Sequence, residues 1–192
     1  MFDVLAKLHN TDIEAAGLSE FGKPGNYFGR QVDRWTKQYR LSETETMPGM
    51  EKLIEWLPAT LPEQTRTSVV HGDFRIDNAI FDHNGPKCLA VLDWELSTIG
   101  DPLADFSYVA MAWVTENGGR SGVKDLDRKA LGIPELEEMV ERYCAATGRD
   151  SIPDMNWYLA YNFFRLAGIM QGIKKRVIDG TASSAHAKAM SD

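Results

Sequence analysis

Apolar positions recur along this chain at two periods, and the switches between them mark out its elements. Helical spacing predicts helices over Phe2–His9, Asn26–Arg40 and Pro48–Leu57, the last with Leu53, Ile54 and Leu57 on one face and closed by Pro58 and Pro62. A fourth helix is predicted over Leu103–Glu116, stopped by Asn117-Gly118-Gly119. A fifth runs over Pro134–Thr147, which opens with proline and acidic residues and ends at Gly148. Leu159, Phe163, Leu166, Met170, Ile173 and Val177 alternate spacings of four and three, so Pro153–Ile178 reads as a long helix with that stripe turned to the core. Between the third and fourth helices the period shortens. Ser68-Val69-Val70, Ala79-Ile80-Phe81 and Leu89–Leu92 read as short strands, and Asp82-His83-Asn84-Gly85-Pro86 is a turn cluster that makes a hairpin of the last two. The pattern predicts a mainly helical α+β chain. With no repeat and no linker, residues 1–180 read as one domain and 181–192, small and polar, as a disordered tail.

The strand region also carries the chemistry. In Val69-Val-His-Gly-Asp-Phe-Arg-Ile-Asp-Asn-Ala-Ile-Phe81, Asp73 and Asn78 stand five apart behind His71, the offset of the pattern H-R-D-x-x-x-x-N, and Asp93 follows on the next apolar run. Transfer of a phosphoryl group to a hydroxyl needs a carboxylate free to take the hydroxyl's proton and oxygen ligands for the cation that neutralises the phosphates. Asp73 suits the first task, and Asn78 with Asp93 the second. An Asn and Asp pair favours Mg²⁺ over zinc, because Mg²⁺ takes hard oxygen ligands and completes its shell with phosphate and water. The hairpin would carry Asn78 at one base and Asp93 at the other, within reach of one metal.

His71-Gly72-Asp73 with Asn78, Leu92-Asp93-Trp94-Glu95 and Gly100-Asp101-Pro102-Leu103-Ala104-Asp105 together resemble the aminoglycoside phosphotransferase and choline kinase-like family, most of all the kinase-like domain fused in some proteins ahead of an acyl-CoA dehydrogenase. More loosely the resemblance runs from Leu5–His9 to Gly172. It implies the C-terminal lobe of a protein kinase-like fold, with small hairpins carrying the catalytic and metal-binding loops. It also implies Asp73 as catalytic base, Asn78 and Asp93 as ligands of Mg²⁺ that hold the cofactor, and transfer of the γ-phosphoryl group of ATP or GTP to a small hydroxyl-bearing substrate. The family places a nucleotide-gripping lobe before the catalytic segment, with a phosphate-covering loop and a strand Lys paired to a helix Glu. Nothing before His71 resembles it: Gly22-Lys-Pro-Gly25 lacks the spacing G-x-x-x-x-G-K-[ST] and fits an interhelical turn. The nucleotide lobe is therefore expected to be missing, which leaves open an incomplete or inactive chain, a noncatalytic kinase-like binding module, and self-association through the uncovered face.

Supporting residues carry two readings each. His71 reads as a holder of the loop, since the base is Asp73. Arg75 can reach a phosphate or substrate carboxylate, or simply pair with Asp77. Glu95 can add a second carboxylate to the metal through water, or contact a neighbouring helix. Asp101-Pro102 reads as a cap for the helix that follows. Asp105, one turn inside that helix, either hydrogen-bonds the backbone of the catalytic loop or is a surface acid. Trp157, Tyr158, Tyr161, Phe163 and Phe164 are core residues or a pocket lining.

Composition narrows the partners. A net charge of −7, with acids spread along the chain, argues against nucleic acid. No apolar run approaches the roughly 20 residues of a membrane span, and the start has no signal-peptide shape, so a cytoplasmic protein is expected. Cys88 and Cys144 are too few for a disulfide framework and read as reduced thiols in or near the core. Glu135, Glu137, Glu138 and Glu141 read as the solvated face of a helix, and 117–127, rich in glycine and charge, either as a mobile loop near the substrate side or as a solvated connection with no role.

Overall fold

A computed structural model describes residues 1–118 and 122–181 of the chain. Six α-helices and four short strands are present among them: α1 Phe2–His9, α2 Tyr27–Ser42, α3 Pro48–Ala59, β1 Ser68–Val70, β2 Ala79–Phe81, β3 Cys88–Val91, β4 Thr98–Gly100, α4 Leu103–Val114, α5 Leu136–Thr147 and α6 Met155–Ile178. The mainly helical α+β expectation holds, with element boundaries shifted by a residue or two. These elements fall into two compact units, Met1–Gly25 with Gln64–Leu159, and Asn26–Glu63 with the described residues from Ala160 onward.

The first unit holds both sheets, each of two antiparallel strands. The expected hairpin β2–β3 is in register Ala79↔Val91 and Ile80↔Ala90, with an irregularity beyond Ile80. Its turn is closed by the Asp82 N–H on the Lys87 carbonyl at 2.8 Å and by the Asp82 carboxylate on the Asn84 N–H at 2.9 Å. The second sheet pairs β1 with β4, Val69 opposite Ile99. Ser97 turns the chain into β4, its N–H and hydroxyl both bonding the Trp94 carbonyl. A Cβ on Gly22 would collide with the Thr98 side chain and the Ile99 backbone, so Gly22 lets loop 10–25 lie against β4.

Helix α1 buries Phe2, Leu5, Ala6 and His9, the i, i+3, i+4, i+7 face of an amphipathic helix. That face meets α5, β1 and α4. Phe2 packs against Phe106 and Trp113 at ring separations of 5.5 and 5.7 Å, and Phe106 against Tyr143 at 4.3 Å. Glu135 and Glu138 form a reciprocal capping box at the start of α5, and Gly148 ends it at φ 64. Arg66 donates to the free carbonyls of Thr147 and Gly148. Glu135, Glu137, Glu138 and Glu141 are all exposed, as expected for a solvated face. Loop 117–127 is described in part: the Asn117 N–H bonds Asp125 at 2.7 Å, and the Val123 N–H bonds the Ala112 carbonyl at 2.7 Å.

In the second unit, α2 and α3 are joined by Arg40, which takes both oxygens of Glu51 at 2.6 Å. Phe28 meets Tyr161 edge to face at 5.0 Å. Gly168 lies under Trp35, whose ring also faces the guanidinium of Arg165 at 5.6 Å.

Two expectations fail here. Pro58 does not close α3; the helix continues through it to Ala59. The stripe predicted to face the core of α6 is buried only in part: Leu159 is buried, while Leu166, Met170, Ile173 and Val177 are half-buried. Phe163 is 37% exposed, whereas Tyr161, Phe164, Gly168, Gln171 and Gly172 are buried. Small and polar residues at 168, 171 and 172 lie on the buried side, and an apolar count cannot see them. The expected tail, apart from Thr181, lies outside the described residues.

Candidate active site

The site is assembled at the end of β1, the start of β2 and the end of β3, all within the first unit. Beyond Val70 the chain turns sharply at Gly72, which adopts φ +85, and a Cβ there would sit 2.6 Å from the Leu96 carbonyl oxygen. Glycine is required both for the dihedral and for the space. This turn puts His71 inward and Asp73 at the half-buried rim.

His71 is fully buried and fixes the loop through its ring. Nε2 lies 2.9 Å from the Leu92 carbonyl, which can only accept, so the proton is on Nε2. Nδ1 is then free to accept the Asp73 N–H at 3.2 Å. The ring also packs on Trp94 at 4.7 Å. One side chain thus connects the Asp73 loop to the strand that ends in Asp93.

A second anchor comes from α4. The Asp105 carboxylate accepts the backbone N–H of His71 at 2.6 Å on Oδ2 and that of Gly72 at 2.8 Å on Oδ1. Of the two readings of Asp105, the hydrogen bond to the loop is the one present; a surface acid is not, since the residue is buried. Asp101 accepts the Leu103 N–H at 2.9 Å at the start of the same helix, as a cap does. Burial pushes the Asp101 carboxyl up to about 6, against the opposing effects of that hydrogen bond and of Arg149.

Asn78 ends the 3₁₀ turn Ile76–Asn78 and leads into β2. Its Nδ2 donates to the main-chain carbonyl of Asp73 at 2.9 Å and to the Asp73 carboxylate at 3.0 Å. Both partners are acceptors, which fixes the amide's orientation and turns Oδ1 away as an uncommitted oxygen. Across the hairpin the Leu92 N–H bonds the Asn78 carbonyl at 2.8 Å, so the ladder extends one pair past β3 and delivers Asp93 beside it. Asp93 is exposed and takes φ 64, a left-handed conformation that an Asp tolerates better than most residues. No hydrogen bond or ion pair engages its carboxylate among the described residues.

The remaining predicted residues divide. Arg75 pairs with Asp77, the plainer of its two readings. Glu95 is exposed two residues beyond Asp93. Trp157, Tyr158, Tyr161 and Phe164 are core, while Phe163 is not. Cys88 and Cys144 are free thiols. An open cavity of about 350 Å³ lies between α1 and β3, bordered by Leu8, Phe74, Val91 and Trp94, and touches none of Asp73, Asn78 and Asp93. His9, unremarked in the motif, also reaches this network: its Nε2 lies 3.4 Å from Asp105 and its Nδ1 2.7 Å from the Tyr143 hydroxyl. Its place at i+7 on the buried face of α1 was the available signal.

The donor set suits a hard divalent cation. Asn78 Oδ1 and the Asp93 carboxylate are oxygen donors with no other commitment, and no group of three or more His, Cys, Asp or Glu that could hold a metal ion exists among the described residues. Two protein oxygens with the balance from phosphate and water is the arrangement Mg²⁺ accepts.

Residues 1–158 match the phosphotransferase enzyme family, and the chain belongs to that family. A solved Ralstonia eutropha JMP134 protein proposed to be an aminoglycoside phosphotransferase superposes with a TM-score of 0.95 at 52% identity, over 99% of this chain and 58% of that one. Among curated proteins, mouse acyl-CoA dehydrogenase family member 10 is 50% identical over 98% of this chain and 18% of its own length. Human acyl-CoA dehydrogenase family member 11 is 38% identical over 95% of this chain and 24% of its own. The chain therefore spans about a fifth of the curated relatives it matches. The fold is that of the family's kinase-like proteins, mostly helical with small antiparallel sheets. No helix among the described residues is long and apolar enough to cross a membrane.

Proposed function

We propose that the chain supplies the catalytic and metal-binding half of an ATP- or GTP-dependent phosphotransferase acting on a hydroxyl of a small molecule, and that a nucleotide-gripping lobe completes the site. The observation that carries this reading is the division of labour at Asn78: its amide nitrogen is spent on Asp73, which leaves its oxygen, with the bare carboxylate of Asp93, for a cation. Asn78 and Asp93 would hold Mg²⁺, which when bound supplies the charge that offsets the phosphates. Asp73 receives the proton of the acceptor hydroxyl. Asn78 orients the Asp73 carboxylate by donating to it, and His71 and Asp105 hold the loop that carries it. A carboxylate that is half-buried, aimed by a hydrogen bond and kept off the metal is what a general base in this position requires.

Isothermal titration with Mg-ATP, and ATP turnover in the presence of a panel of small alcohols, test the reading on the chain alone and on a form extended upstream. Turnover by the extended form that disappears in Asp73→Asn supports it. Binding without turnover in either form would instead make the chain a noncatalytic nucleotide-binding module, and absence of both would remove the nucleotide.

A further inference from the structure

The carboxylate of Asp105 is held on three sides. Two donors are the loop amides of His71 and Gly72, and the third is the His9 ring, 3.4 Å away on α1. The final torsion of an Asp side chain is broad and roughly two-fold, so its rotamer alone does not set the plane of the oxygens. Its donors set it. The loop amides cannot do so independently, because they are what the carboxylate is holding; the donor from outside the loop is His9.

His9 is itself fixed. The Tyr143 hydroxyl meets Nδ1 at 2.7 Å, and the two rings stand edge to face at 5.8 Å. Burial raises the Tyr143 hydroxyl well above its ordinary range, so it remains a donor. Tyr143 is clamped in turn by Phe106, the residue after Asp105, at 4.3 Å. A chain of polar contacts thus runs from α5 through α1 to α4 and ends on the backbone that carries Asp73. All of its side chains are buried.

Resting on the phosphotransferase reading above, we propose that His9 is a positioning residue for the transfer step: with Nδ1 accepting from Tyr143 and Nε2–H donating to Asp105, it orients the carboxylate that fixes the His71 and Gly72 amides and so the aim of Asp73. His9 touches no reacting atom. Its removal leaves the metal ligands Asn78 and Asp93 in place, so nucleotide affinity is retained while the rate of transfer falls.

The test compares, in the upstream-extended protein, wild type with His9→Leu, His9→Gln and Tyr143→Phe by three readouts: amide exchange by NMR, the tautomer of His9 from its ring nitrogen shifts, and kcat and KM for Mg-ATP hydrolysis, with water standing in for the acceptor hydroxyl. In wild type, Nε2 of His9 carries the proton. In His9→Leu the His71 and Gly72 amides exchange about tenfold faster or more, while the Leu92 amide, bonded to the Asn78 carbonyl, is unchanged. In the same variant kcat falls about tenfold to a hundredfold at constant KM. His9→Gln, which keeps an N–H toward Asp105, recovers most of both, and Tyr143→Phe shifts both in the same direction by less. Wild-type protection and kcat in a folded His9→Leu would overturn the proposal; should that variant not fold, wild-type values in Tyr143→Phe would do so. If wild type turns over no ATP, the phosphotransferase reading itself falls, and the amide exchange still decides whether His9 holds the loop.

Discussion

The ring of His71 donates from Nε2 to the main-chain carbonyl of Leu92 at 2.9 Å, joining the loop of Asp73 to the strand end of Asp93 across twenty-one residues of sequence. Replacing it with Leu leaves that carbonyl without its partner in a part-buried setting and deletes the acceptor of the Asp73 N–H. His71→Leu is expected to cost about 1–3 kcal/mol of stability. Urea denaturation gives the figure, and a loss below about 0.5 kcal/mol would mean that the ring does not hold the two segments together.

Gly72 admits no side chain. With φ +85 and the Leu96 oxygen 2.6 Å from a would-be Cβ, Gly72→Ala must both strain the turn and move the 94–97 segment. A loss of about 1–3 kcal/mol is expected, with exchange-broadened NMR signals for Asp73 and Leu96. A neutral outcome in thermal unfolding would show that the turn relaxes freely.

Asp101 gives the fold a dependence on pH. Its folded carboxyl lies at about 6, above the ordinary value of 3.8, because burial disfavours the charge. Its contribution to stability is therefore fully present below about pH 4 and is lost as pH rises toward 6, on the order of 3 kcal/mol for a shift of this size. Asn keeps the oxygen that accepts the Leu103 N–H and cannot ionise. The stability of Asp101→Asn relative to wild type should rise between pH 4 and 7, and a difference that stays flat over that interval would contradict the assignment.

Helix α6 separates burial from apolar count. Phe164 is 0% exposed and Phe163 37%, although the sequence stripe favours Phe163. Phe164→Ala should cost about 3–5 kcal/mol and Phe163→Ala much less, as chemical denaturation would measure. Equal costs would place the helix differently.

That helix also shows what could be read in the sequence. Its existence and length follow from period alone, as do α1, the hairpin and its turn, because each is specified by residues near to one another. The face of α6 does not, since Gly168, Gln171 and Gly172 are buried for reasons set by what lies against them. Strand β4 was missed for a similar reason: Thr98-Ile99-Gly100 is too short to show alternation and becomes a strand only by pairing with Ser68–Val70, thirty residues back. At the site, the types and spacing of Asp73, Asn78 and Asp93 pointed to the chemistry proposed for them. Invisible in the sequence were the carbonyl of Leu92, the left-handed Asp93 and the reach of His9, each of which depends on where the backbone turns.

The central claim is that Asp73 is aimed by Asn78 as a base for phosphoryl transfer while Asn78 and Asp93 serve the cation. The most direct test is the Mg²⁺-dependent turnover of ATP by Asp73→Asn, measured beside Asp93→Asn and wild type in the upstream-extended protein. Asp73→Asn should bind Mg-ATP as wild type does and lose at least about a hundredfold in kcat, whereas Asp93→Asn should lose Mg²⁺-dependent binding. Undiminished turnover in Asp73→Asn would contradict the account.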